Sequence, residues 1–135
     1  MKKHLIMLAI ASSCFVATHA SAMTDAEHKV AKEKVEADYK VGKAQCDAMK
    51  DNAKDVCEKE AKGKQNVAKA ELEQQFKPSD SRSRKVAEEK VKAKYEVAKE
   101  KCDDMKGDAK NACEKEAKAE EARGKADLKA MTARK

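Results

Sequence analysis

Two short sulfur motifs, Cys46-x-x-Met49 and Cys102-x-x-Met105, carry the sharpest chemistry in this sequence. Each sets a thiolate and a thioether about one helical turn apart, and soft sulfur ligands of that kind suit Cu(I). The same cysteines have a structural use, as disulfides beside packing methionines. The structural reading is preferred. Copper sequestration through Cys46, Met49, Cys102 and Met105 stands as the alternative, and no cofactor is expected. Zinc fits less well, because His28 is the only histidine after residue 22, its counterpart in the repeat described below is Arg84, and no Cys-x-x-Cys pair exists. Thiol–disulfide catalysis would need two close cysteines at a helix start, where the thiolate is stabilised. No serine, acid and histidine stand in a pattern that pairs a nucleophile with its base, and the four glycines form no phosphate-binding loop. A non-enzymatic protein without catalytic residues is expected.

The first 22 residues read as a targeting segment. Lys2, Lys3 and His4 precede an apolar run from Leu5 to about Thr18, followed by Ala20-Ser21-Ala22. That is the three-part pattern of a secretory signal, with Ala20 and Ala22 marking cleavage after residue 22. An apolar run of about 14 residues falls short of the roughly 20 that span a bilayer, so no transmembrane anchor is expected after processing. Ala11-Ser12-Ser13 is a poor lipobox for modifying Cys14. Removing Lys2 and Lys3 takes the net charge from +6 to +4, and removing Cys14 takes five cysteines to four. An even count suits an oxidising compartment. Periplasmic location is expected, with secretion as the alternative.

The remainder is a duplication. Shifted by 56 residues, the chain matches itself without a gap, and 25 of the 44 pairs from Lys29 to Leu72 are identical. The strongest stretch, Cys46 to Lys62, recurs as Cys102 to Lys118. Between the copies lies a segment with the chain's one proline, Pro78, and a cluster of serines, which reads as a linker. The expected organisation is a signal at 1–22, repeat 1 at 23–76, a linker at 77–83, repeat 2 at 84–131 and a tail at 132–135.

Each repeat reads as helical. Thr24 and Glu27 have capping-box spacing, and Glu-to-Lys pairs four apart recur, among them Glu36–Lys40, Glu60–Lys64 and Glu121–Lys125. Cys46 and Cys57 are 11 residues apart, as are Cys102 and Cys113. Along one helix that spacing separates them by about 16.5 Å, whereas a disulfide needs Cα atoms roughly 4.4–6.8 Å apart. The chain must therefore reverse between them. The midpoints fall at Asp51-Asn52 and Gly107-Asp108, all turn-forming types. Reversal there sets Gly42 against Ala61, Val35 against Ala68 and Ala31 against Leu72. In the second copy it sets Ala98 against Ala117, Val91 against Gly124 and Ala87 against Leu128. Tyr39 and Tyr95 are expected over the hairpin seams. The fold expected is all-α: two tandem antiparallel, coiled-coil-like helical hairpins, each closed by a disulfide.

Composition limits the partners. Aromatics are 3% and charged residues 41%, so a deep core is excluded and long solvated helices are favoured. Lysines alternate with glutamates, and nucleic-acid binding needs clustered positive charge. No specific nucleic acid is expected. An envelope protein or an anionic envelope component is the expected partner, and an oligomer is possible. The function classes that remain are structural support, stress protection (including a helix-on-demand desiccation protectant) and protein interaction.

The segment Tyr39 to Ala61, repeated as Tyr95 to Ala117, resembles the Tyr…Lys-x-x-Cys-Asp…Ala-Lys-x-x-Cys-x-x-Glu-Ala-Lys signature of small exported proteobacterial proteins. Lys43 and Lys99 stand where the signature has lysine. The first copy departs from it at Asp51-Asn52, where Lys-Gly-Asn or Gly-Asp is commoner. Some of these proteins are labelled TolA-like on their Ala/Lys/Glu composition. The resemblance implies export to the periplasm and no binding residues. It does not imply TolA function, since the anchor and C-terminal domain of TolA-type proteins have no counterpart in this sequence.

Of the three ways to pair four cysteines, the spacing predicts Cys46–Cys57 and Cys102–Cys113. A nonreducing peptide map of the exported protein should return those two linked peptides, with no free thiol and no Cys46–Cys102 link.

Overall fold

The computed structural model describes residues 23–133; the apolar N-terminal run and the Ala20 and Ala22 cleavage positions lie outside them. Four helices follow in order: α1 Asp25–Cys46, α2 Asp51–Phe76, α3 Asp80–Cys102 and α4 Gly107–Ala133. α1 starts where the capping box was read. The Thr24 hydroxyl accepts from the Glu27 N–H at 3.3 Å, and the Glu27 carboxylate accepts from the Thr24 N–H at 2.8 Å. α3 is capped likewise, Ser79 Oγ accepting from the Arg82 N–H at 3.2 Å.

Two boundaries differ from the expected organisation. The connection between repeats is Lys77–Ser79, not 77–83, because the Ser79 cap lets the helix begin at Asp80. The Arg82 guanidinium also donates to the Lys77 carbonyl at 2.8 Å, closing the connection. At the far end α4 continues to Ala133, beyond the boundary at 131.

The disulfides form as expected, Cys46–Cys57 with Cα atoms 5.5 Å apart and Cys102–Cys113 at 5.7 Å. The facing register holds too: a Cβ on Gly42 would stand 3.6 Å from Ala61 Cβ, and one on Gly124 would meet the Val91 methyls at 2.7 and 2.9 Å. The turns, however, do not sit at the midpoints. Cys46 and Cys102 end their helices, and the loops are Asp47–Lys50 and Asp103–Lys106. Asp51 and Gly107 open the next helices, and Asn52 and Asp108 lie inside them. A disulfide sets where two helices touch, not where the chain turns, so the loop is free to lie to one side of it. Asp51 and Gly107 nonetheless share the left-handed backbone a reversal needs, with φ of 53° and 58°.

Among the described residues, helices pack only on their neighbours in sequence: α1 on α2, α2 on α3, α3 on α4. The assembly is a single antiparallel layer, not a closed four-helix bundle. The two repeats meet through α2 and α3 at closer quarters than small side chains alone would need. A Cβ on Gly63 would lie 2.8 Å from Ala93 Cβ, and the Asn52 amide donates to the Glu100 carbonyl at 3.0 Å. Ion pairs Lys90–Glu71 at 2.7 Å and Lys101–Glu60 at 3.5 Å flank the seam.

One layer buries little. Among the described residues Cys46, Ala70, Leu72, Cys102 and Ala117 form the apolar core, and both Cys46 and Cys102 are fully inaccessible. Of the local Glu-to-Lys pairs read from the sequence, Glu121–Lys125 forms at 2.7 Å. Glu36 instead reaches across to Lys69 on α2 and Glu60 to Lys101 on α3. Cross-helix partners win because the helices lie close enough for long side chains to bridge them.

Left-handed backbone costs an L-residue roughly 1 kcal/mol and glycine almost nothing. Asp51→Gly should therefore stabilise the oxidised protein by about 0.5 kcal/mol, while Gly107→Ala, with open space around it, should cost about 1 kcal/mol. Denaturant melts of the two variants check the pair.

Candidate interaction face

Among the described residues a groove lies between each pair of consecutive helices, and these grooves share residues. The α1–α2 groove is floored by Val35, Gly42, Ala61 and Ala68, with Tyr39 at its side. The α2–α3 groove adds Gly63, Val67, Ala93 and Val97. The α3–α4 groove is lined by Ala87, Val91, Tyr95 and Leu128. Glu60, Lys64 and Ala68 border the first two, and Lys94 and Glu120 border the second two. All three therefore open on one face of the layer. The central trough, about 720 Å³, has α2 and α3 as its walls and takes one further lining residue, Glu120, from α4. Its volume falls in the range of ligand pockets, roughly 300–1,000 Å³. It is an open trough with an apolar floor and a rim of both charges, Lys64, Lys90 and Lys94 against Glu60, Glu71 and Glu120.

Tyr39 and Tyr95 are half-buried on the hairpin seams, as expected. The Lys62 ammonium stands 5.3 Å from the centre of the Tyr39 ring, a cation–π distance. The first hairpin is also tied at its open end. His28 stacks on Phe76 with ring centres 4.1 Å apart and planes 7° from parallel, and its Nε2 lies 3.0 Å from Glu73. The counterparts of His28 and Glu73 are Arg84 and Lys129, so the second hairpin cannot repeat that pairing. Inside hairpin 1, buried Gln65 donates to Glu36 at 2.8 Å and accepts from Lys62 at 3.0 Å. Sequence reasoning missed this polar crosspiece, because nothing in a lone glutamine signals burial.

The copper ligands are not assembled. Cys46 and Cys102 are oxidised to disulfides and carry no thiolate, while Met49 and Met105 are 45% and 43% exposed. They are not packing residues either. Both lie in the reversal loops, where their N–H groups donate to the carbonyls of Cys46 and Cys102 at 2.9 and 3.0 Å. The Cys46 sulfur sits 3.2 Å from the Gly42 carbonyl but, bonded to Cys57, has no proton to donate. Among the described residues no group of three or more His, Cys, Asp or Glu side chains is placed to hold a metal ion.

Beside each disulfide the two helices are clasped by an ion pair at equivalent positions, Asp47–Lys54 at 3.0 Å and Asp103–Lys110 at 2.6 Å. Hydrogen bonding to Asp47 and Asp103 raises the pKa of Lys54 and Lys110, and hydrogen bonding to Lys110 lowers that of Asp103. No protein-family model matches the chain, and it has no detectable similarity to a curated protein or a solved structure. No helix among the described residues is long and apolar enough to cross a membrane.

The clasps set a pH window. A carboxyl with a lowered folded pKa stabilises above its unfolded value, and that contribution disappears as pH falls through the folded value; a lysine raised on folding stabilises below its unfolded value and loses that contribution as pH rises. Urea midpoints should therefore be flat between about pH 5 and 9 and fall below about pH 4 and above about pH 10.5. Asp103→Asn should shrink the acid limb, and high salt should flatten both limbs, since these side chains lie at the surface.

Proposed function

We propose that this chain is a non-enzymatic protein of the periplasm that serves a structural and protein-interaction role in the cell envelope, binding a partner across the grooved face of its helical layer. The observation that carries this reading is the continuity of that face: three grooves merge across four helices, with small apolar residues on the floor and both charges at the rim. A partner helix with an apolar stripe flanked by mixed charges is the complement of such a trough. Two disulfides in a chain of this size suit an oxidising compartment. The signal-like first 22 residues and the resemblance to small exported proteobacterial proteins support the same location.

Lys64 and Lys94 are exposed lysines shared between adjacent grooves, which makes them the natural handle. Oxidised protein bearing a C-terminal tag should capture a defined envelope protein from periplasmic extract. The Lys64→Glu, Lys94→Glu double variant, still helical and melting at a similar temperature, should lose at least about nine-tenths of that capture. Equal capture by both forms would show that the face is not the binding surface.

A further inference from the structure

The duplication has a consequence at the two edges of the layer. Inside the chain α2 of repeat 1 packs on α3 of repeat 2, with Gly63 against Ala93. Followed along the antiparallel helices, that register sets Ala70 opposite Val86 and Val56 opposite Glu100. Shifting α2 forward by one repeat gives α4, and shifting α3 back gives α1. The outer side of α1 therefore carries the counterparts of the side of α3 that receives α2. Val30 and Val41 stand for Val86 and Val97, yet they are 66% and 60% exposed where Val86 and Val97 are half-buried. An α2-accepting surface is on display, and the helix equivalent to α2 whose outer side is likewise uncovered is α4.

We infer that a second copy of this chain covers that surface, the outer side of α4 in one molecule docking on the outer side of α1 in the next. The same register between copies sets Ala119 on Ala37, Ala126 on Val30 and Ala112 on Ala44. All six are exposed in the single chain, and all six are apolar. The charges agree as well. Where Val67 faces Glu89 within the chain, Arg123 faces Glu33 between copies, and the Glu71–Lys90 pair becomes Asp127–Lys34. Lys34 meanwhile holds Asp38 on its own helix at 2.8 Å.

The junction is weaker than its internal template. Lys101 and Glu100 are replaced by Gln45 and Ala44, which removes the partners of Glu60 and Lys59. Ala119 in place of Gly63 also adds a methyl where the internal seam has none, so the helices stand slightly further apart. The contact is heterologous, joining different edges, and repetition extends the layer as an open row rather than closing a dimer. It involves the edges of the layer and does not depend on the partner proposed for its grooved face.

Single-cysteine variants Ala37→Cys and Ala119→Cys, made in the oxidised chain where the native cysteines are bonded, test the junction with a short bismaleimide crosslinker at about 0.5 mM protein. Mixing the two variants should give a crosslinked dimer well above the yield of either alone, and the double variant should give a ladder of multiples. Adding Val30→Glu and Val41→Glu, both on exposed sites, should cut the mixed product about tenfold while leaving helicity unchanged. Dimer from Ala37→Cys alone at the same yield would mean α1 pairs with α1, and no product in the mixture would mean the edges stay bare. Either result overturns the proposal.

Discussion

A covalent bond between two cysteines eleven residues apart is incompatible with one uninterrupted α-helix, and the architecture follows from that incompatibility. The backbone has to double back within each repeat, and the bond then fixes the register of the two arms. Register decides which side chains meet: Gly42 with Ala61 and Val91 with Gly124 are contacts of the kind small residues allow. With helices this close, long side chains reach across the seam, which is why Glu36 and Glu60 find partners on neighbouring helices. Closing a loop of about a dozen residues contributes roughly 3 kcal/mol in the chain-entropy picture. In a layer with so thin a core, that is a large share of a typical domain's net stability of about 5–15 kcal/mol.

The two repeats are alike in sequence and unequal in finish. Hairpin 1 has the His28–Phe76 stack, the Glu73 contact and the buried Gln65 crosspiece. Hairpin 2 replaces His28 with Arg84, Gln65 with Glu121 and Phe76 with Thr132. What it keeps is the disulfide, its Asp–Lys clasp and the small-residue seam. The shared set forms the fold, and the extra set ties the open end of the first hairpin. A single layer also leaves both broad sides to solvent or to partners, a geometry that suits binding and scaffolding better than enclosing a substrate.

Much of the fold was legible because one distance constraint and one duplication are strong signals. Helix type followed from the Thr24–Glu27 capping box and the Glu-to-Lys pairs four apart, and the reversal, both disulfides and the facing pairs followed from the 11-residue spacing and the 56-residue shift. The position of the turn did not, because symmetry about the disulfide was the simplest assumption and the loop lies to one side of it. Met49 and Met105 are loop residues and not packing residues, because helical spacing from a cysteine means little when the helix ends at that cysteine. The packing of α2 on α3 was not legible. It rests on Gly63 and on cross-helix ion pairs whose side chains have nearer candidate partners in the sequence. The grooved face was likewise hidden, since it joins residues from four helices that no local pattern connects.

Distance across the first hairpin tests the central claim most directly. Spin labels on noncanonical residues at Lys29 and Gln75, which leave the disulfides intact, sit on the two arms near the open end of hairpin 1, both exposed. A reversed chain with arms packed about 8–10 Å apart predicts a narrow distribution below about 25 Å, the labels' own reach included. A helix running straight through residues 46 to 57 would hold the same positions roughly 69 Å apart, and a distribution centred there would contradict the account.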